Sequence, residues 1–242
     1  MEPSLPGVSA NFTPLLAATA SFVLSHFILS FGPVRSRLAG RMGEQAFLIF
    51  YSAVAFATFA WMCIAYARAP FHDLWGDPRW ASWATVAIMP FASILATCGV
   101  ATANPGAVGF GRLLVDGRGP IGIQKVTRHP VMIAIALWAA LHLMTNGDMA
   151  SLILFGGMLA LTLGGIWHIE AKRAASGNEA WARFVAASSV VPLAAIVSGK
   201  TQVTLREIGW NRIAAGVVVY FVLLFGHRIV IDVPLLPGLF PR

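Results

Sequence analysis

Six apolar runs, each close to the length that crosses a bilayer, constrain this chain more than any motif in it. A helix through the hydrocarbon core needs about 20 residues. Runs of that kind lie at residues 14–31, 44–67, 80–101, 130–145, 150–169 and 210–231. Six such segments predict an all-α bundle of about six transmembrane helices in a single domain over residues 1–242.

The residues between the runs set the orientation. With 57% hydrophobic and 11% charged residues and a mean hydropathy of +0.74, the chain is not a soluble domain. Its formal net charge of +7 does not imply nucleic acid, because the basic residues are strung between apolar runs rather than gathered in a tract. One face receives Arg35, Arg37, Arg41, Arg112, Arg118, Lys125, Arg128, Lys172, Arg173, Arg183, Lys200, Arg206 and Arg212, thirteen of the seventeen basic residues. The other receives Arg68, Arg79, Arg228 and Arg242. The thirteen-residue face is expected to be cytoplasmic, which puts both termini, the N-terminus included, outside. The first twelve residues hold no basic group, so a removed signal peptide is not expected. Cys63 and Cys98 both fall within apolar runs and read as buried thiols rather than a disulfide framework.

Two connections stand out. Residues 102–124 are rich in Gly and Pro and predict an interfacial loop that folds under or into the bundle. Residues 187–197 are apolar but short and broken by Pro192, and predict a re-entrant or interfacial piece rather than a seventh span.

The six histidines are the residues able to ligate a transition metal in numbers, since clustered cysteines, HExxH, Walker and strand-linked GxGxxG motifs are all missing from the sequence. His26 lies within the first run and His142 within the fourth. An ionisable side chain so placed is costly and is a functional candidate by default. The plainer alternative is an interhelical hydrogen bond worth on the order of 1 kcal/mol. Two neutral imidazoles on different helices are also a suitable axial pair for haem iron. His72, His168 and His227 lie near interfaces. His129, in Arg128-His129-Pro130, stands just before a helix that the proline begins.

The segments SHFILSFGPVRSRLAGRMGEQAFLIFYSAVAFATFAW and RHPVMIAIALWAALHLMTNGDMASLILFGG resemble the NnrU family of integral membrane proteins. The order of features carries the resemblance: His26, a basic loop, Gly43-Glu44, then RHP, His142 and the Asn146-Gly147-Asp148 turn. The family includes the plant zeta-carotene cis–trans isomerase, a haem b protein, and bacterial members associated with nitrite and nitric oxide metabolism. The resemblance therefore implies a multi-pass protein of the bacterial inner (cytoplasmic) membrane that binds haem b, with His26 and His142 as iron ligands. His129 would be the RHP histidine, and His168 only loosely matches a later family histidine. Arg128, and after it Arg35 or Arg37, would meet the haem propionates, as guanidinium groups pair well with carboxylates.

Reduced iron that loses one ligand would act as a Lewis acid toward an apolar polyene substrate, allowing rotation about a double bond. By helical rise His26 lies roughly 10 Å deep and His142 roughly 18 Å, an offset of ~8 Å that tilt of helix or ring must absorb.

A second layout is similar to membrane methyltransferases of the isoprenylcysteine carboxyl methyltransferase type. Its S-adenosylmethionine-closing positions would be Arg128, His129, Pro130, Glu170, Gly177, Glu179, Trp181 and Phe184. Met132 replaces the usual tyrosine and Glu170 stands alone for an acidic pair, so a shared helical core is the more economical reading. Three other roles stay open beside the isomerase: a non-catalytic factor linked to nitrite and nitric oxide metabolism, a methyltransferase-like protein, and a small subunit of a larger membrane complex.

Overall fold

A computed structural model describes residues 11–104 and 119–231. The expectations for the first ten residues, for Arg112, Arg118 and Arg242, and for most of the Gly- and Pro-rich loop lie outside the described residues. The chain divides into two compact units, one formed by Met1–Asp77 with His142–Leu161 and the other by Pro78–Leu141 with Thr162–Arg242.

In the first unit, α1 (Thr13–Ser30) leads into α2 (Gly32–Met42) and α3 (Glu44–Ala67). The basic connection expected as a loop is thus an 11-residue helix. Its sequence allows this: Pro33 sits in the first turn, where a missing N–H costs nothing, and Val34 and Leu38 are one turn apart. Gly43, at φ 85°, ends it, a backbone conformation that glycine adopts without strain. Beyond α3, β1 (Asp73–Gly76) pairs antiparallel with β2 (Gly147–Asp148). The Asn-Gly-Asp turn of the sequence is therefore one edge of a small ribbon. Gly147 is required there, because a Cβ would fall 2.6 Å from the Gly76 nitrogen and 2.7 Å from Trp75 Cδ1.

The unit is completed by the end of α6 (Pro130–Thr145) and the first half of α7 (Met149–Ala175). Asp148 accepts from the Ser151 N–H at 3.0 Å, and Tyr66 Oη lies 2.9 Å from Ser151 Oγ. Thr19 of α1 packs directly on Gly157 of α7. Such small-residue contacts let helices approach where lipid supplies no hydrophobic drive.

The second unit is built on α4 (Arg79–Val100), most of α6, the second half of α7 and α11 (Trp210–Ile231). Its buried centre includes Leu95, Cys98, Ile133, Ala134, Ile166 and Ile208. Gly216 of α11 approaches α4 so closely that a Cβ would meet Ile94 Cα at 2.7 Å. Pro90 lies inside α4 and cannot donate to the Val86 carbonyl four residues back. Tyr220 of α11 takes that place, its hydroxyl donating to Val86 O at 3.0 Å. The same proline that interrupts one helix thereby creates an acceptor for its neighbour.

Among the described residues, α1, α3, α4, α7 and α11 are long and apolar enough to cross a membrane. The protein is an all-α polytopic membrane protein. Helix α6, also expected as a span, has 16 residues, roughly 24 Å by its rise. The fifth run extends beyond its expected end to Ala175, because Glu170-Ala171-Lys172-Arg173 continues the helix as a charged, helix-favouring turn. Short pieces link these helices in the second unit: α5 (Ile123–Val126), α8 (Glu179–Ala186), α9 (Ala194–Val197) and α10 (Leu205–Ile208).

Candidate functional site

The Arg-His-Pro motif opens α6 in the second unit, and its polar side chains converge on Glu170 of α7. Arg128 donates from Nε to Glu170 Oε1 at 2.8 Å and from Nη2 to Oε2 at 2.9 Å. This is the fork-on-carboxylate geometry that gives the strongest ion pairs. Its Nη1 donates to the Ser188 carbonyl at 3.2 Å. His129 Nε2 lies 2.7 Å from Glu170 Oε1 and donates to it, since the carboxylate can only accept. The His129 side chain is 2% exposed and that of Arg128 11%, so both are held where an unpaired charge would be costly.

The backbone around this cluster is equally tied. Between α5 and α6 the chain is extended, and residues 188–193 run beside it. Arg128 N–H donates to Ser189 O at 2.9 Å, Thr127 Oγ1 to Val190 O at 2.7 Å, and Leu193 N–H to Val126 O at 2.8 Å. Asn104 Nδ2 donates to the Arg128 carbonyl at 2.9 Å, and Gln124 Nε2 to Ala103 O at 2.8 Å. Lys125 reaches Glu207 at 2.8 Å, and the Gly122 N–H donates to the same carboxylate at 3.0 Å. Partial burial pulls the Glu207 carboxyl upward. The hydrogen bonds from Lys125 and Gly122, with the Lys125 charge, outweigh it and hold the group below the usual carboxylate range.

Of the positions in the methyltransferase layout, the structure gathers Arg128, His129 and Glu170. Gly177 and Glu179 serve local structure instead. Gly177, at φ 63°, follows α7, and Asn178 caps α8 by accepting from the N–H groups of Ala180 and Trp181. Glu179 faces Arg183 at 3.6 Å on the exposed side of that helix. Trp181 and Phe184 are buried and stack on each other.

His26 and His142 both fall in the first unit. His26 Nδ1 is 2.7 Å from the Phe22 carbonyl. A carbonyl only accepts, so Nδ1 carries a proton toward Phe22, and in that tautomer the ring's lone pair is on Nε2. Phe22 packs edge-on at 4.5 Å between ring centroids, and Tyr51 of α3 at 5.6 Å. His142 packs on Phe155 of α7 at 5.1 Å, and Phe155 in turn meets Tyr66.

The topology of this unit fixes their heights. Helices α3 and α6 both end at the β1–β2 ribbon, α7 begins there, and α1 is joined through α2 to the far end of α3. Helices α1 and α7 therefore run parallel, away from the ribbon, and the Thr19–Gly157 contact brings them level. His26 lies seven residues beyond Thr19, and the partner of His142 lies two residues before Gly157. His26 is consequently farther from the ribbon by roughly 13 Å along the bundle.

Helical side chains lean toward their own N-terminus. On α1 that direction is toward the ribbon and on α6 away from it. Among the described residues no group of three or more His, Cys, Asp or Glu side chains could hold a metal ion.

The other candidates have distinct surroundings. Arg35 is paired with Glu44, and its guanidinium carbon lies 5.6 Å from the Phe47 ring centroid, while Arg37 is exposed. His168 Nε2, in the second unit, is buried without a hydrogen-bond partner among the described residues. The sequence reading missed the Lys125–Glu207 pair and the Tyr220–Val86 bond. Pro90 within an apolar run was a usable signal for the second, whereas nothing in sequence spacing pointed to the first.

The model of a family described as "NnrU protein" matches residues 14–235. The chain is also similar to "15-cis-zeta-carotene isomerase, chloroplastic" of Zea mays, at 28% identity over 81 residues, 34% of this chain and 22% of that protein. It matches the protein of the same name from Arabidopsis thaliana at 30% identity over 79 residues, 33% of this chain and 22% of the relative. The matched stretch thus spans about a fifth of each curated relative's length. No solved structure matches.

Proposed function

The chain belongs to the NnrU family, and from that premise we propose that it is a haem b-binding membrane protein with isomerase-like activity on an apolar polyene. The observation that carries this reading is the state of His26. With Nδ1–H held by the Phe22 carbonyl, the ring is oriented and its Nε2 lone pair is available. This is the arrangement of metal-ligating histidines, whose other ring nitrogen donates to a carbonyl or carboxylate. His142, in the same unit, is the second ligand.

When bound, the haem supplies an iron centre that can act as a Lewis acid toward a double bond. The residues of this chain do the rest. Phe22, Tyr51 and Phe155 give the imidazoles aromatic walls, which favour an apolar ligand and disfavour water. The exposed apolar faces of α1 and α3 keep the unit in lipid, where a polyene partitions. Arg37 and Arg41, exposed on α2 with no ion pair among the described residues, are guanidinium groups suited to carboxylates of a bound haem. Arg128 and His129, closed on Glu170, are assigned to bracing the second unit. A non-catalytic, nitrogen-oxide-linked role would retain the same ligands and is separated by assay on a cis-polyene under reducing conditions.

The test is the visible spectrum of detergent-purified protein expressed with ample haem, oxidised and then dithionite-reduced. A Soret band with sharpened reduced α and β bands is expected. A spectrum without a Soret band would overturn the proposal.

A further inference from the structure

Residues 188–201 belong to no span, their first residues border the Arg128 cluster, and two properties of the rest conflict in water. Their side chains are unusually exposed for apolar groups: Val191 66%, Leu193 46% and Val197 85%. Their backbone N–H groups, in contrast, are answered within the protein from Leu193 onward. From Leu193 to Thr201 every N–H has an acceptor within the protein. Leu193 donates to Val126 O, Ala195 to Ser189 Oγ, and the others to carbonyls of the segment itself. Pro192, just before, has no N–H to satisfy. Leu193 adopts φ 66°, a left-handed conformation that costs a non-glycine residue free energy, and the turn it makes carries its side chain outward.

A water-facing loop has no need of such closure, since solvent satisfies its backbone. A segment in hydrocarbon must have it. The surroundings point the same way. Exposed Lys200 and Arg206 lie just beyond the apolar tip, and exposed Leu205 and Trp210 continue it to the lipid-facing start of α11. Apolar groups rimmed by basic ones at the foot of a spanning helix match acyl chains bordered by anionic headgroups.

We infer that residues 189–200 form a monotopic membrane anchor. Val191, Leu193 and Val197 enter the acyl-chain layer of the leaflet adjoining the basic face, with Lys200 and Arg206 at phosphate level. The occupant of this apolar face is the bilayer itself. Because Arg128, Thr127 and Val126 bond to the same segment, the anchor fixes the Arg128–Glu170 cluster at the membrane surface. This inference is independent of haem binding.

The test is spin-label accessibility in the full chain reconstituted in nanodiscs containing anionic lipid. Val191→Cys and Val197→Cys are labelled singly in a Cys63→Ser background, since Cys63 is exposed and Cys98 buried. Ser176→Cys, on the exposed turn after α7, is the aqueous reference. Labels at both valines should collide severalfold more with oxygen than with a water-soluble nickel chelate, and the label at Ser176→Cys should show the reverse. Ready collision with the nickel chelate at both valines would place the segment in water and overturn the inference. Low access to both reagents, with dipolar broadening between labels, would assign the surface to a second copy and overturn it equally.

Discussion

Two histidines, 103 positions apart in the chain, are held in opposite ways. His129 directs Nε2 at Glu170, in a cluster where Arg128 already occupies both carboxylate oxygens and the Ser188 carbonyl. His26 uses Nδ1 on a carbonyl of its own helix and keeps Nε2 out of that bond. The first arrangement closes a site, because each charged group is answered within the protein. The second leaves a site open to a ligand, because the ring is oriented through Nδ1 alone and Nε2 takes no part in that bond. Arg-His-Pro is the more conspicuous motif, yet its side chains brace the second unit. The quieter His26, within an apolar helix, is the candidate ligand.

If this contrast is right, disrupting the closed cluster should have the largest effect on stability. Glu170→Gln leaves Arg128 buried beside a neutral amide and should cost about 3 kcal/mol, read as a lower detergent unfolding midpoint. A change within a few tenths of a kcal/mol would show that the cluster is not a brace. Next is the close packing of α11 on α4. Gly216→Leu must displace Ile94 backbone atoms and should cost roughly 1–3 kcal/mol, whereas Gly226→Leu, with open space around it, should cost little.

Tyr220→Phe removes the donor that answers the Val86 carbonyl and should cost about 1 kcal/mol. Lowering pH tests the Lys125–Glu207 latch. Its carboxyl is held below its ordinary value, so its contribution is complete above the unfolded Glu pKa of about 4.3. It is lost as pH falls through the lower folded value. Glu207→Gln should flatten that part of the stability–pH curve. The smallest stability effect, in haem-free protein, should come from His26→Ala, whose imidazole hydrogen-bonds within its own helix among the described residues.

Much of the architecture was legible because apolar length is a direct reading of the bilayer's thickness. The helices of the second, third, fourth and sixth runs begin and end within a residue or two of the expected positions. Helix α2 was less visible, since three arginines masked the one-turn spacing of Val34 and Leu38. The β1–β2 ribbon needs residues about 70 positions apart, which no local pattern encodes. At the sites, an imidazole within an apolar run singled out His26 and His142, and Arg128, His129 and Glu170 stood out as charges at helix ends. What sequence could not supply was which partners each would meet. That Arg128 closes on Glu170 and His26 on its own Phe22 carbonyl follows from helix rotation and packing.

The most direct measurement is the dithionite-reduced visible spectrum of His26→Ala compared with His129→Gln, each purified from cells supplied with haem. The account predicts that His26→Ala loses or shifts the reduced α and β bands while His129→Gln, though less stable, keeps the spectrum of the parent protein. Parent-like bands in His26→Ala together with altered bands in His129→Gln would contradict it.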